Sequence, residues 1–143
     1  MDSFRLDGLR VLVVDDAPAV LDVVTAMLVQ HGASVTAVDT AEAALDVLRR
    51  DRPTVLVSDL SMPGKGGYWL IGQVRALPAQ EGGATPAVAL TTYTSPEHRA
   101  AVLRAGFQVE VAKPVGVAEL IDVVATLAAS RATRGVDAAS STR

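Results

Sequence analysis

The sequence predicts an α/β fold, a doubly wound parallel sheet with helices on both faces. Two observations carry that reading. Short apolar runs alternate five times with longer segments of helical period, which implies parallel strands joined by right-handed crossovers. The runs Val11-Leu12-Val13-Val14 and Val55-Leu56-Val57-Ser58 lack the polar alternation of a half-exposed strand, so they read as strands buried on both faces. Among the common doubly wound arrangements, the five-stranded order 2-1-3-4-5 fits the length.

Taken in order, Arg10 to Val14 is the first strand and Ala19 to Gln30 a helix with Val20, Val23, Val24, Met27 and Leu28 on one face, stopped by Gly32. Ser34 to Val38 is the second strand. Thr40 caps a second helix that turns Ala44, Leu45 and Leu48 inward and ends in Arg49-Arg50, charges that suit a helix C-terminus. Pro53 resets the chain. Thr54 to Ser58 is the third strand, Met62 to Gly67 a Gly/Pro loop, Tyr68 to Leu77 a third helix and Pro78 to Thr85 a polar connector. Ala87 to Thr91 is the fourth strand. Ser95-Pro96-Glu97 then supplies an N-cap, a proline for the first turn and an acid, opening a helix that ends at Gly106. Val109 to Ala112 is the fifth strand, and Val117 to Ala129 a helix burying Leu120, Ile121, Val124 and Leu127. The expected organisation is an N-terminal extension over 1–8, one domain over 9–130, and a tail or linker stub over 131–143 that lacks periodicity and reads as disordered.

Composition narrows the function classes. Half of the 143 residues are hydrophobic, with one Trp, two Tyr and two Phe, so the core is aliphatic. A net charge of -3 gives no field suited to nucleic acid or an anionic membrane. The absence of cysteine removes disulfides, thiolate metal sites and a cysteine nucleophile together. No run reaches the roughly 18 apolar residues of a membrane span, and Met1 to Arg5 has no apolar signal core. A cytoplasmic protein is the expectation.

Chemistry concentrates at the carboxyl ends of the strands, where open α/β sheets form their ligand crevice. Asp15 and Asp16 end the first strand and Asp59 follows the third. Like charges gathered there repel one another and resist desolvation, and an all-oxygen set suits a hard cation such as Mg2+. The other strand ends supply Thr91 and Lys113. Singly, each residue has an ordinary explanation as a helix cap, turn former, strand residue or surface charge. Their convergence on one sheet edge is the informative fact. His31 and His98 lack partners at ligand spacing and read as surface residues.

As a set these phrases resemble the receiver domain of bacterial two-component response regulators, including the receivers of hybrid histidine kinases. The resemblance covers roughly Leu9 to Leu127 and rests on Val-Leu-Val-Val-Asp-Asp at 11–16, Asp-Leu-Ser-Met-Pro-Gly-Lys-Gly-Gly at 59–67, Ala-Leu-Thr-Thr at 89–92, Ala-Gly-Phe at 105–107 and Ala-Lys-Pro at 112–114. It implies a flavodoxin-like fold and a signalling switch rather than an enzyme, with only self-catalysed gain and loss of phosphate. By resemblance, Asp59 is the phosphoacceptor for a histidine kinase or phosphotransfer protein. Asp16 and Asp59 bind Mg2+ directly, the backbone carbonyl of Ser61 adds a ligand, and Asp15 acts through water. Lys113 pairs with the phosphoryl oxygens, Thr91 donates its hydroxyl to them, and the bond before Pro114 is often cis. No DNA-binding module fits after Leu127, so the expected reading is a single-domain regulator or a receiver cut from a longer protein such as a hybrid kinase, with no direct contact to DNA or membrane.

Two alternatives stay open: a pseudo-receiver that binds partners without phosphorylation, and a phosphatase with an aspartyl-phosphate intermediate. Against the second, Asp59 is followed by Leu60-Ser61 and not by the Asp-x-Asp of haloacid-dehalogenase-like enzymes. One departure from the resemblance stands out. Where many receivers carry Tyr or Phe three residues before the lysine, this chain has Glu110, which is expected to stay at the surface because an unpartnered carboxylate is costly to bury.

Overall fold

The computed structural model describes residues 5–141, and their side chains as far as residue 130. Five strands, β1 (Arg10–Val14), β2 (Ser34–Val38), β3 (Val55–Asp59), β4 (Ala87–Thr91) and β5 (Val109–Ala112), alternate with five α-helices. These are α1 (Pro18–Gln30), α2 (Ala41–Asp51), α3 (Gly67–Arg75), α4 (Pro96–Ala105) and α5 (Val117–Ser141). The strands form one sheet in the order β2-β1-β3-β4-β5, and all four pairings are parallel. Thus the doubly wound order expected from the sequence is the one observed.

The pleat divides the core. Leu12, Val14, Leu56, Ala87 and Ala89 face one layer, where they pack with Leu48, Leu70, Ile71, Val102 and Phe107 from α2, α3 and the α4 region. Val11, Val13, Val55, Val57, Val88, Leu90 and Val111 face the other, against Val24 and Leu28 of α1 and Leu120, Ile121 and Val124 of α5. Central β3 and β4 are buried at every position, including the polar Ser58, Asp59 and Thr91 at their carboxyl ends, whereas edge strand β2 has no buried residue.

Local chemistry sets the helix ends. The Thr40 hydroxyl accepts from the Ala43 N–H, the Ser95 hydroxyl accepts from the His98 N–H, and Pro96 opens α4. The connector before β4 contains a short 3-10 turn at Ala79–Glu81, within the stretch expected to be irregular.

Residues 1–4 of the expected extension and 142–143 of the expected tail lie outside the described residues, and within the described ones both ends differ from the sequence expectation. Leu6, assigned to an extension, is fully buried among the α1 and α5 side chains, and its N–H donates to the His31 carbonyl. Helix α5 continues to Ser141, twelve residues past the expected end at Ala129. The segment expected to be disordered contains several alanines, one glycine and no proline, so nothing in it forbids helix.

Candidate functional site

Strand register brings the reactive residues together. Val14 pairs with Ser58, so Asp15 and Asp59 leave the sheet side by side; Asp59 pairs with Leu90, and Thr91 with Ala112. Asp15, Asp59 and Lys113 continue the alternation of Val13, Val57 and Val111, and therefore emerge on the α1–α5 side of the pleat. Thr91 has the opposite phase and turns toward α4. One predicted set thus divides in two by the parity of its strands.

The first part is an acidic crevice with a cation across it. Carboxylate oxygens of Asp15, Asp16 and Asp59 lie within 4.8 Å of one another. The Lys113 ammonium donates to Asp59 Oδ1 at 2.9 Å and to Asp15 Oδ2 at 3.1 Å. Asp15 is buried, its second oxygen accepting from the Ala17 N–H at 2.9 Å just before α1, while Asp16 is exposed. Asp59 is 5% exposed and also accepts from the Ser61 N–H at 3.4 Å. The Lys113–Pro114 peptide is cis.

Burial pushes the Asp59 carboxyl above its ordinary value; the Lys113 hydrogen bond opposes that rise and the charge of Asp15 adds to it. Burial also works against the Lys113 ammonium, but its bonds to Asp59 and Asp15 prevail and hold its pKa above the usual lysine value. Three carboxylates converge on one ammonium, so the crevice is short of positive charge and Lys113 neutralises only part of what converges. The open side carries Asp16, and every donor is a hard oxygen, so the set fits a small divalent cation.

The loop after β3 is held close by glycine. A Cβ on Gly67 would fall 2.5 Å from the Asp59 carbonyl oxygen and 2.9 Å from Leu60 Cα, so only glycine lets α3 begin this near the acid. The side chains of Lys65 and Trp69 stack beside it, the ammonium 4.7 Å from the ring centroid.

The second part lies at the end of β4. Thr91 Oγ1 accepts from the Tyr93 N–H at 3.0 Å and lies 2.9 Å from His98 Nε2. His98 therefore has a partner, contrary to its reading as a surface residue; the seven-residue separation from Thr91 across a loop and a helix turn leaves no periodic signal in the sequence. Glu110 overturns its expectation more sharply. Its side chain is 4% exposed, Oε1 accepts from Arg99 Nε at 3.3 Å, and Oε2 is buried with no hydrogen-bond partner. It shares the pleat phase that faces α4, and the partial pairing with Arg99 is what allows it to turn inward.

Comparison with known proteins identifies the arrangement. The family model described as the response regulator receiver domain matches residues 11–125. The chain belongs to the receiver domain family. This receiver is 47% identical over 119 residues to an uncharacterized 14.6 kDa protein of Leptolyngbya boryana, covering 83% of the chain and 89% of that protein. It is 36% identical over 126 residues to the sensory/regulatory protein RpfC of Xanthomonas campestris, covering 88% of the chain but only 17% of RpfC. Among solved structures, the receiver domain of a sensor histidine kinase from Pseudomonas aeruginosa, with a magnesium ion coordinated in its active-site cleft, superposes with a TM-score of 0.77 at 30% identity, over 85% of this chain and 98% of that one. Among the described residues, no helix of the receiver is long and apolar enough to cross a membrane.

Proposed function

We propose that this receiver is a phosphoacceptor switch in which Asp59 takes a phosphoryl group from a phosphohistidine on a histidine kinase or phosphotransfer protein. A carboxylate oxygen of Asp59 attacks phosphorus as the P–N bond breaks, and the imidazole leaves with that bond's electron pair, neutral because its other ring nitrogen already carries the proton. The observation that carries this reading is the buried Asp59 carboxylate, held by the Lys113 ammonium at 2.9 Å inside an acidic crevice at the sheet edge.

Asp16, Asp59 and the Ser61 carbonyl are the residues that would hold Mg2+, with Asp15 acting through water. When bound, the ion neutralises oxygens of the transferring phosphoryl group. Lys113, already within reach of Asp59, pairs with those oxygens as a point charge, and Thr91 contributes a hydroxyl at the neighbouring strand end. Partner docking is supported by an apolar cavity of about 260 Å³ between Val20, Val23 and Val24 of α1 and Pro114 and Val115, directly beside Lys113. The consequence of phosphorylation is altered partner binding or onward relay of the phosphate, in the cytoplasm.

The test is incubation with acetyl phosphate and Mg2+, followed by mapping of the modified residue. One hydroxylamine-labile phosphate on Asp59, absent from Asp59→Asn, is expected. Equal labelling of Asp59→Asn would refute the assignment.

A further inference from the structure

Thr91 is not at rest in a neutral pocket. Its oxygen accepts from the Tyr93 N–H, lies 3.2 Å from the Tyr93 carbonyl, and lies 2.9 Å from His98 Nε2. A threonine hydroxyl has one proton and two lone pairs, so these three neighbours occupy most of what it can do. His98 stands in the first turn of α4, fixed there by the Ser95 cap and by Pro96. The Tyr93 ring lies against it with centroids 5.7 Å apart at 55°. In either imidazole tautomer the bond to Nε2 draws Oγ1 toward α4, on the side of the pleat opposite the phase of Asp59 and Lys113.

We infer that His98 is a positioning residue for Thr91: its imidazole holds the hydroxyl in the resting position and competes with a phosphoryl group on Asp59 for it. The inference rests on the reading of Thr91 as the hydroxyl that contacts the phosphoryl group. With its oxygen held on the α4 side of the pleat, the hydroxyl has to move away from Nε2 to reach a phosphoryl group on Asp59, whose strand phase is the opposite one. Moving it requires this hydrogen bond to break, and that cost sets how far phosphorylation shifts the β4–α4 loop. His98 thus tunes the switch without touching the reacting atoms.

The experiment measures BeF3- affinity in the presence of Mg2+ by following backbone chemical shifts of residues 91–98, in wild type, His98→Ala and His98→Gln, each with Thr91 intact and as Thr91→Ala. His98→Ala should bind BeF3- roughly two- to tenfold more tightly, the range a single net hydrogen bond carries. His98→Gln, which can place an amide nitrogen or oxygen near the same point, should restore wild-type affinity. In the Thr91→Ala background the His98 substitutions should have no effect. Alanine favours helix more than histidine, so α4 remains formed in the variant. Unchanged or weakened binding in His98→Ala, or an equal effect without the Thr91 hydroxyl, would overturn the inference. If instead wild type and Asp59→Asn bind BeF3- alike, it is the phosphoacceptor reading that fails.

Discussion

Removing the Lys113 ammonium should destabilise the metal-free receiver, and the loss should be recoverable by Mg2+ or by acid. In Lys113→Ala, Asp59 and Asp15 lose a cation at 2.9 Å and 3.1 Å and remain 5% and 1% exposed. Breaking a fully buried ion pair by removing one partner costs about 3–5 kcal/mol. The Lys113 side chain is 18% exposed and the crevice opens to solvent beside Asp16, so a discounted cost of about 2–3 kcal/mol is expected. For a domain of this size that is a fall in Tm of roughly 6–12 °C. The pH dependence has a definite sign. Because the Lys113 pKa is raised by folding, its stabilising contribution is complete below the ordinary lysine value and disappears as pH rises through the raised one. On the acid side, Asp59 is already raised above 3.8 and loses a depressing partner in the variant, so it protonates early as pH falls. The gap between variant and wild type should therefore narrow on acidification. Saturating Mg2+ neutralises the same carboxylates and should raise the Tm of the variant more than that of wild type. Thermal melts across pH, with and without Mg2+, read all of this. A variant melting within about 1 °C of wild type at neutral pH, or a gap insensitive to both acid and Mg2+, would refute the account of the crevice as short of positive charge.

Arg75 ties α3 to the loops before β4 and β5 by donating to the carbonyls of Gly83, Thr85 and Gly106 and to the Gln108 side chain, and burial lowers its pKa. Arg75→Met keeps the stem but leaves those carbonyls without their donor, so urea unfolding should show a loss of about 2–4 kcal/mol; a change under about 0.5 kcal/mol would mean that water replaces the guanidinium freely. Glu110→Leu should raise stability by about 1–2 kcal/mol, because it removes a buried oxygen with no partner while Arg99, 65% exposed, stays solvated. A less stable Glu110→Leu would show that the Arg99 pair is net favourable.

Periodicity and strand-end chemistry made the parallel sheet and the convergence of Asp15, Asp16, Asp59, Thr91 and Lys113 on one edge legible in the sequence. They do so for a local reason: a strand buried on both faces is apolar along its length up to the carboxyl end, and a doubly wound topology delivers every strand's carboxyl end to the same crevice. What required the tertiary structure is the distribution of those residues about the pleat. Register alone sends Asp15, Asp59 and Lys113 to the α1–α5 side and Thr91 and Glu110 toward α4, and the phase of a strand relative to its neighbours is not encoded in the strand itself. For the same reason, His98 gained a partner and Glu110 went inward. Each depends on where α4 lies over β4 and β5, and a burial cost reckoned from one side chain omits the cation that a distant helix brings to it.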